Sequence, residues 1–500
     1  MSMLPPQQTD ELNTDHLEAD LRGRSVRGGL VTLTSQGAMF VLQTISTVVL
    51  ARILTPTDFG IVAMVTAVTG LASAFADLGL SEATIQSKVI THDQVSVLFW
   101  INAGIGLGLM LITVAMTPVF AWFYKEPRLV AVAFLLSFTF LFSGLRVQAD
   151  ALLKRQMRYS ALGYRDVASY AVAVPLAIIV AWRGGGYWAL VALPLTLNFV
   201  QMVFSWLIVH WRPGLPRRNT KVGSMIAFGG NVAASYLIYS LNRNMDNVLI
   251  GWYWGAAPLG LYSRAYNLLM IPVRQLNAPA ANVAVPAFSR IQNDSERYAR
   301  YYLRAISLIL WISAPLFGFL IVAAEPVIVL VLGAQWREAA PVFQMLGISA
   351  LGQMLLESTV WLLVSRGQSK RLLRLWLIIS PITVGSFVIG LPFGIKWVAL
   401  SYSLVLLIML PWILKFTFRG TQLTLQALGR VIVYPVSVCL LGILCAELAL
   451  SLISPESIFS QLGITALGFA VAYSLSALVG PVRREIMSFR SLLGELRPSI

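Results

Sequence analysis

Arginines inside a long apolar segment are the most chemically informative residues of this sequence. Arg264, Asn267 and Arg274 recur at intervals of three and seven within residues 258–286, which places them on one face of a helix. A guanidinium group in such a segment must meet protein, water or a ligand, because hydrocarbon does not solvate its charge. Guanidinium groups also bind phosphate through paired hydrogen bonds. This face therefore favours binding of a phosphate-bearing anion.

The preceding apolar segment, 222–250, has a second polar stripe with Arg243 beside it; the stripe contains Asn231, Ser235, Tyr239, Asn242 and Asp246. Asp246 lies three residues after Arg243, so it either lines the same site or only neutralises that arginine. Arg52, at the outer end of the first apolar segment, is a further candidate for binding an anion. We group Arg52, Arg243, Asp246, Arg264, Asn267 and Arg274 as the predicted substrate-binding residues.

Structural roles are open for several of these charges. Arg264 and Arg274 could extend along their aliphatic stems to the two membrane surfaces. Arg146 and Asp150, spaced i,i+4 at the inner end of the fourth segment, are expected to form a structural ion pair.

A transporter driven by an ion gradient needs a carboxylate that titrates or binds the ion. Glu357, near the middle of its apolar segment, is the first candidate and Asp77 the second. An arginine of segment 258–286 could instead neutralise Glu357. The sequence contains no Walker loop, nucleophile elbow or metal-ligand spacing. We therefore expect no cofactor and no enzyme activity, with a proton or sodium gradient as the driving force.

Long apolar segments recur along the whole chain, and each is long enough to cross a membrane as a helix. We predict fourteen spans: 29–51, 59–80, 95–117, 129–150, 161–182, 187–211, 222–250, 258–286, 303–324, 339–365, 372–392, 396–414, 431–453 and 461–480. Short polar tails, 1–28 and 481–500, flank them. The fold class is thus an all-α polytopic membrane protein.

Basic residues concentrate in every second connection between these spans. Of the 37 Lys and Arg residues, 27 lie in the two tails, in the even-numbered connections or in the first five residues of the spans that follow them, against six for the odd-numbered connections counted in the same way. This asymmetry predicts that both termini and the Arg366–Arg374 loop are cytoplasmic, while the Glu325–Glu338 loop is outside. The net charge of +15 thus reflects topology and contact with lipid headgroups rather than binding of nucleic acid.

The chain also contains signs of an internal repeat. Residues 59–61 match 259–261, each at the turn between the first two spans of a half, and Leu152–Tyr159 resembles Leu363–Lys370. We predict two six-span bundles, 29–211 and 222–414, followed by a peripheral pair of spans in 431–480. Repeats of this kind are typical of alternating-access transporters.

Several short motifs occur in an order known from one family. They are Leu50–Gly60 (LARILTPTDFG), Asp77–Leu80 (DLGL), Leu153–Tyr159 (LKRQMRY) and Asp246–Gly251 (DNVLIG) with Leu259, Gly260 and Tyr262. Together they resemble the Wzx-type repeat-unit flippases, in the colanic-acid and exopolysaccharide exporter branch of the MATE-like MOP superfamily. The resemblance covers about residues 25–480.

The resemblance implies two six-helix bundles around a central cavity, with two further helices outside. It also implies an inner-membrane flippase for an undecaprenyl-diphosphate-linked oligosaccharide in exopolysaccharide or lipopolysaccharide synthesis. A polysaccharide polymerase and co-polymerase would be its partners. Two alternatives stay open: a lipid II flippase, or a small-molecule antiporter of the same superfamily. The arginines disfavour a cationic drug.

Overall fold

The computed structural model describes residues 21–72, 79–87, 90–216 and 244–480. All regular secondary structure in these ranges is helical. The chain divides into two units, the first ending at Gly260 and the second beginning at Leu261.

In the described ranges up to residue 216, the first unit contains seven helices. They are α1 (Leu21–Ile53), α2 (Pro56–Ala72), α3 (Leu80–Gln86), α4 (His92–Tyr124), α5 (Leu129–Arg155), α6 (Tyr159–Trp182) and α7 (Trp188–Ile208). Residues 244–254 are also helical. The next helix, α8 (Ala256–Arg290), begins in the first unit and continues in the second.

The second unit continues with α9 (Ser295–Val322), α10 (Ala324–Leu332), α11 (Ala340–Ser365), α12 (Ser369–Gly390), α13 (Ile395–Phe418), α14 (Leu425–Ile453) and α15 (Ile458–Ser476). Short 3₁₀ turns occupy Ala334–Ala339 and Leu391–Phe393. The predicted outer loop from Glu325 to Glu338 is therefore largely helical, because the apolar run 326–332 continues a helix. The described part of α1 likewise reaches into the predicted tail, from Leu21 onward.

Eleven helices of the described residues are long and apolar enough to cross a membrane. The three predicted spans missing from that set each have a reason. Helix α2 ends at Ala72, just before residues 73–78, which lie outside the described ranges. Most of span 222–250 also lies outside them. Helix α8 contains Arg264, Arg274 and three internal prolines, which lower its apolar character.

Packing within the two units follows one order. In the first, α5 packs on α4 and α7, and α6 packs on α7; in the second, α11 packs on α9 and α13, and α12 packs on α13. The third, fourth, fifth and sixth predicted spans of each half thus make matching contacts. Helices α14 and α15 pack on each other, and α14 also packs on α9. Cys439 of α14 donates to the carbonyl of Ala314 in α9.

The turn between α1 and α2 is closed by reciprocal hydrogen bonds. The amide and hydroxyl of Thr55 donate to Asp58 Oδ2 at 2.9 and 2.7 Å, and the Asp58 amide lies 3.3 Å from Thr55 Oγ1. Thr55 and Asp58 thus form a capping box in which Pro56 occupies the first helical turn.

Two glycines 200 residues apart meet backbone to backbone in the first unit. A Cβ added to Gly60 would lie 1.7 Å from the carbonyl oxygen of Ala256, and one added to Gly260 would lie 1.8 Å from that of Pro56. The contact is reciprocal, since Pro56 and Ala256 are themselves 200 residues apart. Only glycine permits this approach of α2 and α8. It joins the residues that the repeat hypothesis paired.

Candidate functional site

The predicted anion-binding face lies on α8, in the second unit. Asn267 and Arg274 have exposed side chains, and Arg264 is half-buried. Pro272 lies inside the helix, as do Pro279 and Pro286. Each proline lacks an amide donor and leaves a backbone carbonyl of α8 without its helical partner. Polar groups of both the backbone and the side chains therefore occur along this helix.

Glu357 is half-buried on α11 and is joined to α8. The Asn277 amide nitrogen lies 3.4 Å from Glu357 Oε2, so α8 supplies a neutral donor to this carboxylate. One turn earlier on α11, Gln353 is buried and donates to Ser349 Oγ at 3.3 Å. The alternative from the sequence, in which an arginine of segment 258–286 neutralises Glu357, stays a prediction.

Two tyrosines hold the helix that contains Glu357. Tyr302 of α9 is hydrogen-bonded to Ser358 at 2.7 Å, and Tyr298 to Ser365 at 2.8 Å. Both rings are buried. Since Ser358 directly follows Glu357, the first bond fixes the backbone next to the carboxylate. Sequence reasoning missed these tyrosines, although their i,i+4 spacing at the start of an apolar helix indicated a shared face.

The first unit contains a buried ionic network of three helices, centred on Arg165 of α6. Its guanidinium group pairs with Asp150 of α5 and with Asp166, the latter at 2.7 Å, and donates to Ser205 of α7 at 2.8 Å. Ser205 in turn donates to Asp150 at 2.8 Å. Arg165 is 6% exposed, so its charge depends on these partners.

Arg146 and Gln201 complete this network. Arg146 lies 3.4 Å from Asp150 and donates to the Gln201 side chain, whose amide donates to Asp166 at 3.1 Å. The predicted ion pair of Arg146 and Asp150 is confirmed. Arg165, Asp166, Gln201 and Ser205 were missed, because their partners lie on helices far apart in sequence. Two arginines face two aspartates, so we assign this network to structure rather than to substrate binding.

The other predicted site residues lie in the first unit or outside the described ranges. Arg52 is exposed in the last turn of α1, where its positive charge interacts favourably with the negative end of the helix dipole. Asp246 is buried and accepts a hydrogen bond from the Asn247 amide at 2.7 Å. Arg243 and Asp77 lie outside the described residues. The structure therefore brings together Arg264, Asn267 and Arg274 on one helix, and links that helix to Glu357.

The fold matches those of two solved proteins, one of which is a MATE transporter of the MOP superfamily. The lipid II flippase MurJ in an inward closed conformation superposes with a TM-score of 0.71 at 12% identity, covering 90% of this chain and 99% of that one. An inward-facing multidrug MATE transporter superposes with a TM-score of 0.61 at 13% identity, covering 78% and 98%. At these identities the likeness defines the fold alone.

The chain belongs to the Polysaccharide biosynthesis protein family, which it matches over residues 49–341. It is 26% identical over 344 residues to the teichuronic acid biosynthesis protein TuaB of Bacillus subtilis, covering 68% of this chain and 71% of TuaB. It is 25% identical over 337 residues to the lipopolysaccharide biosynthesis protein WzxC of Escherichia coli, covering 66% and 68%. The succinoglycan transport protein ExoT of Rhizobium meliloti is 25% identical over 64% of each chain. The predicted family is confirmed.

Proposed function

We propose that this protein is an inner-membrane flippase that moves an isoprenoid-diphosphate-linked oligosaccharide unit outward for exopolysaccharide or lipopolysaccharide synthesis. The observation that carries the proposal is the family match, together with relatives named for teichuronic acid, lipopolysaccharide and succinoglycan. These names favour a polysaccharide unit over lipid II or a drug. A polymerase and co-polymerase would then receive the unit on the outer side.

We assign recognition of the diphosphate to Arg264, Asn267 and Arg274 on α8. Two guanidinium groups on one helical face can each donate paired hydrogen bonds to a phosphate. Asn267 lies between them and can donate to the same anion or accept from a sugar hydroxyl. Arg52, Arg243 and Asp246 remain candidates that would extend this site.

The binding assignment is tested by an export assay in cells that lack their own flippase. We expect the double variant Arg264→Ala/Arg274→Ala to insert normally into the membrane but to produce no surface polysaccharide. Both guanidinium groups that would donate hydrogen bonds to the phosphates are lost. Lysine at both positions should restore part of the export, since it keeps the charge without the paired geometry. Arg290→Ala, an exposed arginine at the end of the same helix, is the matched control. Full export by the double alanine variant would remove these residues from the site.

We propose further that Glu357 couples flipping to a proton or sodium gradient, with Asp77 as the second candidate. A carboxylate that differs in protonation between two conformations biases the equilibrium between them. Support comes from its position on α11 next to the fixed Ser358 and its contact with α8 through Asn277.

Coupling is tested in proteoliposomes under an imposed gradient. Glu357→Gln keeps an acceptor for Asn277 but removes the titration, so it should lose the gradient response and retain substrate binding. Asn277→Ala removes the hydrogen bond but keeps the carboxylate, so it should retain the response. A Glu357→Gln variant that still responds would move the role to Asp77 or Asp246. A wild-type protein indifferent to every gradient would refute ion coupling itself.

We propose fourteen spans arranged as two bundles, 29–211 and 222–414, plus the peripheral pair in 431–480, with both termini cytoplasmic. Support comes from the eleven apolar helices, the matching packing order in the two units and the distribution of basic residues. Cysteines introduced one at a time and labelled with an impermeant reagent in spheroplasts test the topology. A cysteine at Gln335 should label, whereas one at Gln368 should not. Labelling of Gln368→Cys from outside would refute this topology.

A further inference from the structure

A basic cavity lies in the second unit, and none of its lining residues belongs to α8. It is open to the surface, has a volume of about 680 Å³ and is lined by the turn between α11 and α12 and by the end of α13. Four cationic side chains line it: Lys370, Arg371, Arg374 and Arg419. Among its described lining residues none is acidic. Neither the family match nor the proposed transport reaction assigns a role to it.

One of the four cations is already committed to the fold. Arg371 donates to the carbonyls of Phe416 and Arg419, the latter at 2.7 Å, and its guanidinium group lies 5.0 Å from the centre of the Phe416 ring. These carbonyls lie at the C-terminal end of α13, where helical partners run out. Arg371 therefore holds the cavity wall and is not free to follow a ligand.

The other three cations are exposed around the opening. Lys370, Arg374 and Arg419 all have exposed side chains. Like charges held near one another repel, and an anion between them would relieve that repulsion. The first turn of α12, which begins at Ser369, adds the positive end of its dipole to the same wall. The chemistry of the lining selects an anion that can bridge several donors, of which phosphate is the commonest at a membrane.

The position of the cavity identifies the source of that anion. It lies where two apolar helices end, since α12 begins at Ser369 and α13 ends at Phe418. Trp412 is 42% exposed on α13, one turn before Phe416, and its ring stacks on that of Phe416 at 5.5 Å. Exposed tryptophan at a helix end is typical of the headgroup layer. An acyl chain could lie along this aromatic surface while the phosphate occupies the cavity.

We infer that this cavity binds the phosphate of an anionic phospholipid from the surrounding leaflet. The same cations would also bind inorganic diphosphate, because the lipid headgroup and diphosphate both present a phosphate group. We favour the lipid as the source of that phosphate. This site is separate from the transport proposal, because its residues lie at the ends of α12 and α13 rather than on the polar face of α8.

The test is lipid retention by the purified full chain, measured by native mass spectrometry with added phosphatidylglycerol or phosphatidylcholine. We expect phosphatidylglycerol to bind preferentially. The triple variant Lys370→Ala/Arg374→Ala/Arg419→Ala should weaken it about a hundredfold, at about fivefold for each cation. The matched control is Lys154→Ala/Arg304→Ala/Arg430→Ala, which removes the same charge from exposed positions elsewhere. Its affinity should stay within about twofold of wild type.

Inorganic diphosphate distinguishes the sources. If it fails to displace phosphatidylglycerol, the lipid is the ligand; if it displaces the lipid from wild type, the cavity takes phosphate from either source. Equal losses in the two triple variants would overturn the inference, because general surface charge would then explain retention. So would equal binding of the two lipids. Thermal unfolding of both triple variants checks that they are folded, and Arg374→Ala alone should still weaken phosphatidylglycerol about fivefold.

Discussion

The turn after α5 and the turn after α11 have the same pattern of backbone hydrogen bonds but differ in the charged groups around them. In the first, the Arg158 amide donates to the Leu153 carbonyl at 2.9 Å; in the second, Gln368 donates to Leu363 at 2.8 Å. A shorter hydrogen-bonded loop lies inside each of these: the Met157 amide donates to the Lys154 carbonyl, and the Gly367 amide donates to the Val364 carbonyl. Each turn thus ends its helix with nested hydrogen bonds and one left-handed residue.

The arginines near these two turns are compensated differently. In the first unit, Arg155 donates to the Thr84 carbonyl at the end of α3, and Arg165 pairs with two aspartates. In the second unit, Arg366 and Arg371 donate to carbonyls at positions 420 and 419, while the remaining cations surround the basic cavity. Two units with the same helix packing can therefore either neutralise their cations internally or leave them available to an external anion.

Removing Arg165 should produce the largest effect on stability. Arg165→Ala removes a buried cation and leaves the half-buried carboxylates of Asp150 and Asp166 with too little positive charge, at a cost of about 3–5 kcal/mol in unfolding free energy. Thermal unfolding in detergent measures this loss. Arg183→Ala, an exposed arginine just after the same helix, should be near neutral.

A second substitution sharpens the interpretation of this network. Adding Asp166→Asn to Arg165→Ala restores the charge balance, so the double variant should be more stable than the single one. If Arg165→Ala behaves like Arg183→Ala, the network does not contribute to stability and the contrast between the units fails.

Arg371→Ala should have an intermediate effect. It removes hydrogen bonds to two carbonyls and the contact with the Phe416 ring, and we expect a loss of about 1–3 kcal/mol. Amide hydrogen exchange at residues 416–420 should increase in the same variant. Arg374→Ala, three residues further on, should change neither property, because its side chain is exposed. Equal destabilisation by the two variants would contradict the distinction between the cavity wall and its free cations.

The left-handed residue of each turn gives the smallest expected effect. Gly367 has φ of 66° and Met157 has φ of 55°. Gly367→Ala should cost about 1–2 kcal/mol, because an L side chain is strained there. Met157→Gly should change stability by less than about 1 kcal/mol, since relief of strain is offset by the greater freedom of glycine in the unfolded chain. Thermal unfolding compares them. Equal and opposite shifts would show that the two turns are energetically alike.

Much of the fold could be predicted from sequence because membrane spans are determined by local composition. Seven helices agree with the predicted spans to within five residues at both ends: α5, α6, α7, α11, α12, α13 and α15. Helices α4, α9 and α14 extend six to eight residues beyond the predicted span at one end. The helix from Ala324 to Leu332 was missed, because a short apolar run between two charged residues is typical of a loop as well. The repeated turn was predicted with an offset of 211 residues, whereas its hydrogen bonds correspond at 210, since Met157 aligns with Gly367.

The candidate site was less predictable than the fold. Periodicity sufficed to place Arg264, Asn267 and Arg274 on one helical face, because that is a property of a single helix. Asn277, 80 residues away, is a partner of Glu357, and no local pattern in the sequence predicts this contact. The network around Arg165 depends in the same way on helices that only the tertiary fold brings together.

The paired glycines at 60 and 260 bear on suppressor genetics. A methyl group at either position meets a carbonyl oxygen, which every residue type has, so no exchange at Ala256 or Pro56 can make room for it. Gly318 differs, because its added Cβ would meet the side chains of Cys439 and Phe469 at 2.6 and 2.8 Å. Second-site revertants of a damaging Gly318→Ala should therefore arise at those two positions, whereas selection from Gly60→Ala should return only true reversion or changes that shift a whole helix.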